Sequence, residues 1–176
     1  MPEFTKTVRA AVLATLGFAS FGSDVQADDT PTVGGQGGSP FKYTCPFPDE
    51  TGNLTGLTGR AGAVIDGFWP ICDKEIMSRS YIGGPGGAPF DVRCPDGKYV
   101  TGINVYYGQF VNALQLECQG RKDSKPWRSQ WVGGTTGTLV GLHCGRDQFA
   151  HELVGRMGSY IDSLALDCQY IPGTQR

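Results

Sequence analysis

Two aspartates, Asp66 and Asp162, are the residues of this sequence whose setting best suits chemistry. Each follows a glycine by four positions and an apolar residue by one, and a third copy of the pattern has Asn112 in place of the acid. A carboxylate only accepts hydrogen bonds, whereas backbone N–H groups donate them. Glycine lets other groups approach its backbone closely. A Gly-x-x-x-Asp turn can therefore present acceptors beside donors, as the adjacent hydroxyl groups of a pyranose require.

This turn recurs within a repeat of about fifty residues. A glycine-rich stretch at 34–41 returns 49 residues later at 83–90, and a shorter copy at 133–137 follows after another 50. In each copy a cysteine lies ten residues after the glycine of the turn. Agreement of these registers over three copies indicates an internally repeated fold. The repeats run approximately over residues 34–82, 83–132 and 133–172.

Alternating polarity around the turns predicts β-strands. Leu114 and Leu116 alternate with small or polar residues, and Leu164 and Leu166 do the same in the third repeat. A period of two places such residues on one face of a strand, so each turn is placed at the tip of a β-hairpin. The 27 glycines and 11 prolines favour short strands joined by tight turns. The sequence therefore predicts an all-β fold.

The N-terminal residues 1–27 have the pattern of a signal peptide. Lys6 and Arg9 precede an uncharged, mostly apolar stretch at 10–22, and small residues flank a cleavage position after Ala27. The apolar stretch is shorter than the roughly 20 residues that span a bilayer, and no other segment is long and apolar enough. We expect a secreted or periplasmic protein with no membrane insertion. The remaining chain divides into a short linker and a single domain, at 28–33 and 34–176.

Charge and cysteine content argue against several kinds of partner. A net charge of −2 gives no electrostatic reason to expect nucleic acid. Export and an even number of cysteines favour three disulfides over a metal site, and no metal or cofactor is expected. The six cysteines are Cys45, Cys72, Cys94, Cys118, Cys144 and Cys168.

Two disulfide arrangements respect the repeat. Pairing within repeats is preferred, because a hairpin turning at residues 109 and 110 brings Cys118 opposite the start of the incoming strand, just after Cys94. It joins Cys45 to Cys72, Cys94 to Cys118 and Cys144 to Cys168. The alternative joins Cys72 to Cys94, Cys118 to Cys144 and Cys168 to Cys45, and the sequence leaves it open.

A Gly-Gly-x-Gly-Gly stretch, then Phe90-Asp91, then a hairpin with Gly-x-x-x-Asp at its tip resembles the jacalin-related lectins. The resemblance covers residues 34 to about 170. It implies the β-prism I fold, in which three four-stranded Greek-key sheets surround a pseudo-three-fold axis. It also implies carbohydrate binding without enzymatic activity. In that family a sugar binds between the Gly-rich loop and the Gly-x-x-x-Asp loop of one sheet, and neighbouring repeats supply the two loops.

Carried over to this chain, the resemblance implies a principal site, a second site, and a third that is weak or absent. The first joins Gly38 to Gly158, Ser159, Tyr160 and Asp162. The second joins Gly87 to Gly62, Ala63, Val64 and Asp66. The third joins Gly137 to Gly108, Gln109, Phe110 and Asn112. It is expected to be weak because an amide replaces the carboxylate and the matching Gly-rich loop is degraded.

The expected partners are glycans or glycoconjugates, and an oligomer is possible. In the resemblance, galactose preference goes with a free N-terminal glycine. Residues 28–33 precede the first glycine here, so mannose or glucose is favoured. Arg60 and Arg156, each two residues before the glycine of a turn, are expected to bond a nearby carboxylate or carbonyl. Trp69 is expected to pack on the sheet.

Two other functions compete with this interpretation. A structural or protein-interaction prism resembling the vitelline membrane outer layer protein would keep the fold and use each aspartate only to cap its turn. A glycan-active enzyme is less favoured. Glycoside hydrolysis needs two carboxylates across one cleft, whereas Asp66 and Asp162 belong to different sheets of the implied prism.

Overall fold

The computed structural model describes residues 29–46 and 52–170, so the expected signal peptide at 1–27 and the residues after Tyr170 lie outside the described part. Fourteen β-strands and no helix occur in the described ranges. The strands are β1 Val33–Gly34, β2 Ser39–Thr44, β3 Leu54–Ala61, β4 Ile65–Cys72, β5 Glu75–Ile76, β6 Ile82–Gly83, β7 Ala88–Arg93, β8 Tyr99–Tyr107, β9 Val111–Gln119, β10 Trp127–Arg128, β11 Val132–Gly133, β12 Thr138–His143, β13 Gln148–Met157 and β14 Ile161–Tyr170.

Three long antiparallel hairpins, β3–β4, β8–β9 and β13–β14, carry the predicted turns at their tips. The predicted strand faces are confirmed, because Leu114, Leu116, Leu164 and Leu166 are all buried in the core. Each hairpin also has a bulge near its tip, where the register shifts just before the turn. These hairpins build one continuous apolar core.

Each hairpin forms a sheet with strands of the next repeat. β7 pairs with β3 in the second sheet, β12 pairs with β8 in the third, and β2 pairs with β13 in the first. Because β2 comes early in the chain and β14 last, the first sheet brings the two ends of the described chain together. All described pairings are antiparallel, and the three sheets form the predicted prism.

The outer strand of each sheet is broken near its middle, so two sheets have five strands instead of the predicted four. β5 and β6 both pair with β4, and β10 and β11 both pair with β9. At the break in the third sheet, the hydroxyl of Ser129 accepts the N–H of Leu116 at 3.0 Å. A side chain there replaces a backbone carbonyl as partner, which ends one short strand before the next begins.

The same break occurs in the first sheet, where Thr30 Oγ1 accepts the N–H of Leu166 at 2.8 Å and Thr30 N–H donates to the Leu166 carbonyl at 2.9 Å. Val33 then enters β1 and is buried. Within the range 28–33, which was expected to be a linker, Thr30 is therefore bonded to β14 and Val33 is paired with it.

Three disulfides join Cys45 to Cys72, Cys94 to Cys118 and Cys144 to Cys168, which is the preferred arrangement within repeats. Each bridge joins the segment just before a long hairpin to the second strand of that hairpin. Cys72, Cys118 and Cys168 are buried in the core, so the bridges lie inside the prism.

Removing one bridge should lower the free energy of unfolding by about 3 kcal/mol, because the Cys94–Cys118 bridge spans a sequence separation of 24 residues. The double variant Cys94→Ala/Cys118→Ala tests this in urea unfolding at neutral pH. The matched variant Cys144→Ala/Cys168→Ala has the same separation and should lose a similar amount. A loss below about 1 kcal/mol in both variants would show that the bridges contribute little.

Candidate functional site

The candidate site is built from two kinds of segment, here called tips and Gly-rich loops. The first, second and third tips are residues 62–64, 108–110 and 158–160. The first, second and third Gly-rich loops are residues 34–38, 83–87 and 133–137. In each tip the N–H of the glycine donates to the carbonyl of the residue two positions later, at 2.8 to 3.0 Å. The three tips therefore share the same hydrogen-bonded turn.

One backbone hydrogen bond anchors every Gly-rich loop. Gly35 N–H donates to the carbonyl of Asp162 at 2.8 Å, Gly84 N–H to that of Asp66 at 2.8 Å, and Gly134 N–H to that of Asn112 at 3.0 Å. The anchoring residue is in each case the last residue of a Gly-x-x-x-Asp or Gly-x-x-x-Asn motif. The sheet pairing thus places each loop beside one particular tip.

In the first site, Gly37 and Gly38 lie directly against the carboxylate of Asp162. A Cβ on Gly37 would overlap Asp162 Oδ1, and a Cβ on Gly38 would lie 2.5 Å from Asp162 Oδ2. Gly38 also has a positive φ of 61°, which favours glycine. Gly158 borders the same carboxylate, since its Cβ would lie 3.6 Å from Asp162 Oδ2. The close approach of the loop therefore requires glycine at Gly37 and Gly38, whereas the tip has room for a Cβ at Gly158.

The second site repeats this geometry around Asp66. Cβ atoms on Gly86 and Gly87 would overlap its two carboxylate oxygens, and a Cβ on Gly62 would lie 3.8 Å from Asp66 Oδ2. Gly87 has a φ of 70°. The structure therefore brings together the loop glycine, the tip glycine and the aspartate of the predicted principal site, and likewise those of the predicted second site.

Both aspartates are buried, yet their carboxylates accept no hydrogen bond from the part of the chain that the structure describes. Asp66 and Asp162 are each 6% exposed. Within residues 29–46 and 52–170, no side chain or backbone N–H donates to either carboxylate. The oxygens are not among the polar atoms sealed from solvent in those ranges. Each site thus offers strong acceptors whose partners must come from solvent or a ligand.

Arg60 and Arg156 bond the Gly-rich loops, as the sequence predicted for a nearby carbonyl. Arg156 Nε and Nη2 donate to the carbonyls of Gly37 and Gly38, both at 2.7 Å. Arg60 makes the same two bonds to Gly86 and Gly87, at 2.9 and 2.6 Å. Each guanidinium holds two consecutive carbonyls of the loop that lies on its aspartate.

The third site has the same parts but a different chemistry. Asn112 Nδ2 donates to the carbonyl of Thr136 at 2.8 Å, so the amide bonds its own loop. Thr136 occupies the position of Gly37 and Gly86, where a Cβ would meet the acid. Tyr106 occupies the position of the two arginines and packs against Trp131, with ring centroids 5.0 Å apart. The site therefore lacks both the carboxylate and the arginine.

Sequence comparison finds no matching family model and no significantly similar curated protein. Comparison of folds finds several solved lectins. The wild-type Malaysian banana lectin superposes with a TM-score of 0.65 at 20% identity, over 82% of this chain and 99% of that chain. The Calsepa lectin in complex with a bisected glycan gives 0.63 at 15% identity, over 82% and 99%. The artocarpin–mannotriose complex gives 0.64 at 14%, over 82% and 98%.

The chain has the β-prism fold of the jacalin-related lectins. The sites described above lie at one end of this prism, where the three tips meet. Gly35 packs against the carbonyl of Gln109, Gly84 against that of Ser159, and Gly134 against that of Ala63. Each Gly-rich loop of the prism is therefore wedged between two tips from different repeats.

The exposed residues of the tips differ between the sites of the prism. Ser159 and Ala63 are exposed, Val64 is half-buried, and Tyr160 is 39% exposed. The rings of Tyr160 and Phe110 touch across neighbouring tips, with centroids 5.1 Å apart. The first site thus has an aromatic border that Val64 cannot supply at the second.

Gly37 and Gly86 are the site residues that the sequence interpretation did not assign. They belong to the second glycine pair of each Gly-Gly-x-Gly-Gly stretch, whose two members both touch the acid. The third repeat keeps the first pair, Gly133 and Gly134, and replaces one member of the second pair by Thr136. That difference between the pairs could have separated anchoring glycines from site glycines.

Other predicted features of the prism lie away from the tips. Trp69 packs on Tyr81, with ring centroids 4.3 Å apart, and its Nε1 donates to the Ser78 carbonyl at 3.1 Å. Asp66 lies in the second sheet and Asp162 in the first. In the described part of the chain, no cluster of three metal-ligating side chains is found, nor a helix long and apolar enough to span a membrane.

A cavity of about 260 Å³ on the outer face of the first sheet contains none of the tip or loop residues. Its lining includes Lys42, Glu152 and Asp167. Glu152 is buried and is held by Thr44 Oγ1 at 2.5 Å and Lys42 Nζ at 2.6 Å. Burial, together with the charges of Asp29 and Glu152, raises the pKa of Asp167 above its ordinary value. Ionisation of Asp167 therefore opposes folding.

Replacing Asp167 by Asn should raise Tm at pH 7 by about 1–3 °C. A carboxyl whose pKa is higher in the folded state destabilises it once ionised. The gain should vanish as pH falls below about 3.9, where Asp is protonated in the unfolded chain as well. Thermal unfolding at pH 3 and pH 7 measures this. Asp96→Asn is the control, because Lys74 lowers the pKa of Asp96, so that variant should not be stabilised. An equal gain for Asp167→Asn at both pH values would contradict the assignment.

Proposed function

We propose that this protein is a secreted, non-catalytic lectin that binds glycans of the mannose or glucose type at two sites. The first site is formed by Gly38, Gly158, Ser159, Tyr160 and Asp162, and the second by Gly87, Gly62, Ala63, Val64 and Asp66. The single observation that carries the proposal is the pair of buried carboxylates that no described protein group bonds.

The chemistry of these carboxylates suits a sugar. Two adjacent hydroxyls of a pyranose can donate to the two oxygens of one carboxylate, and charge-assisted bonds of this kind are stronger than neutral ones. The rigid tip and the anchored loop keep the acceptors in place before binding, which lowers the ordering cost. A turn-capping aspartate would instead bond its own backbone N–H groups, and neither Asp66 nor Asp162 does so within the described residues.

The mannose or glucose preference draws on the ligands of lectins that share this fold. The artocarpin structure that shares this fold is a complex with mannotriose, and the Calsepa structure contains a bisected glycan.

The three disulfides agree with an oxidising compartment, which supports export. Tyr160 at the first site offers an exposed ring on which a sugar face can stack, whereas the second site has Val64.

The proposal predicts a count of sites. Titration calorimetry of the mature, oxidised protein with methyl α-mannoside should give about two sugars per chain. Asp162→Asn or Asp66→Asn should each leave one, and the double variant should leave none, with at least about a tenfold loss of affinity at each altered site. Asn preserves the shape of the side chain, and the third repeat already carries Asn112 at this position.

Asp167→Asn serves as the matched control, because it changes an aspartate outside both sites and should leave sugar binding unaltered. A glycan array run beside the titration defines the specificity. Binding to galactosides alone would overturn the mannose or glucose preference and keep the lectin. No binding to any glycan by the folded protein would overturn the lectin itself and favour a structural prism.

A further inference from the structure

The Gly-rich loops of the three repeats are held in place in two different ways. Each Gly-rich loop lies against the side chain that follows a tip, and something must hold the loop there. In the third repeat Asn112 does so itself, because its Nδ2 donates to the Thr136 carbonyl. An aspartate cannot do this, since an ionised carboxylate has no hydrogen to donate. The first and second sites therefore need another donor for the carbonyls of their loops.

Arginine supplies that donor only where aspartate is present. Arg156 and Arg60 each bond two consecutive loop carbonyls at 2.6 to 2.9 Å, beside Asp162 and Asp66 respectively. Beside Asn112 the same strand position is Tyr106. The residue across the strand pair changes too: Pro40 and Pro89 face the arginines, whereas Leu139 faces Tyr106. Arginine and aspartate thus occur as a unit, twice, and are replaced together.

We infer that Arg60 and Arg156 are positioning residues that hold the Gly-rich loops over Asp66 and Asp162 and so keep the two sugar sites formed in the free protein. This inference rests on the proposed function of those sites. Each arginine bonds only carbonyl oxygens of its loop among the described residues, so it acts on the site through the loop. Within the described residues, neither forms an ion pair with its aspartate, so the carboxylate oxygens stay free for hydroxyl groups.

The planar guanidinium fits this task better than an ammonium group. Its Nε and Nη2 donors diverge in a fixed fork, and the two carbonyls of consecutive residues lie at matching distances from them. Lysine offers a mobile point charge that can bond one carbonyl well. If the fork of donors matters, lysine should therefore restore only part of the sugar affinity that alanine removes. If charge alone matters, lysine should restore all of it.

The first test uses Arg156→Ala and Arg156→Lys in the Asp66→Asn background, where only the first site remains. Arg156→Ala should weaken methyl α-mannoside binding about tenfold or more, and Arg156→Lys should lose less. Added methylguanidinium should restore the affinity of Arg156→Ala, whereas methylammonium at equal ionic strength should not. Unchanged affinity in Arg156→Ala, or equal rescue by both cations, would overturn the inference. Asp162→Asn in the same background reports separately on the lectin proposal, because it removes the acceptor and leaves the arginine.

A second measurement does not depend on any sugar. Amide hydrogen exchange of Gly35 in the free protein should accelerate at least about fivefold in Arg156→Ala, because a loop without the guanidinium opens the bond from the Gly35 N–H to the Asp162 carbonyl more often. The equivalent amide of the second loop, that of Gly84, is the internal control and should not change. Unaltered exchange at Gly35 would overturn the positioning role even if no glycan binds.

The third repeat allows a gain-of-function test. The double variant Asn112→Asp/Thr136→Gly installs the carboxylate and the glycine that its close approach needs. Adding Tyr106→Arg should supply the missing donor. We expect the triple variant to bind a third methyl α-mannoside at least about tenfold more tightly than the double variant does. No gain of the triple variant over the double would overturn the pairing of arginine with aspartate.

Discussion

The pairing of each hairpin with an edge strand from the next repeat is the constraint on which the rest of this prism depends. β2 on β13, β7 on β3 and β12 on β8 fix where the preceding Gly-rich loop must run. A strand pair allows no slip of one residue without turning its buried side chains outward. The loop is therefore held at the tip by the same register that buries Leu57, Ile103 and Leu153. The same hydrogen bonds between paired strands therefore order both the core and the sites.

The buried carboxylates of the protein differ in their hydrogen-bond partners. Glu117 is buried on the third sheet, and burial alone would raise its pKa. Hydrogen bonds from Arg128 and Asn104, with the nearby His143, outweigh burial and hold the pKa of Glu117 below its ordinary range. Asp66 and Asp162 are buried to a similar extent but lack such donors among the described residues. The contrast separates a carboxylate that is bonded within the sheet from two whose partners must come from solvent or a ligand.

The repeats have diverged at their sites more than in their framework. The anchoring glycines, the tip hydrogen bond and the disulfide recur in all three. The acid, its arginine and the second glycine pair recur in two. Where Leu116 and Leu166 need an acceptor for their N–H, Ser129 and Thr30 provide it. Pro70, at the position of Leu116 and Leu166, has no N–H. At the position of Ser129 and Thr30 the second sheet has Met77, whose N–H donates to the Pro70 carbonyl.

The sequence by itself determined the features that depend on local spacing. Strand polarity, the tips, the repeat register and the preferred cysteine pairing all follow from periods of two, ten or fifty residues. Only the tertiary structure showed that the aspartates accept no hydrogen bond from the described residues, that each arginine bonds two consecutive carbonyls, and that Thr30 bonds β14. The arginine contacts join residues 26 positions apart for Arg60 and Gly86, and 119 apart for Arg156 and Gly37. No local pattern encodes them, because only the pairing of each hairpin with a strand of the next repeat brings those residues together.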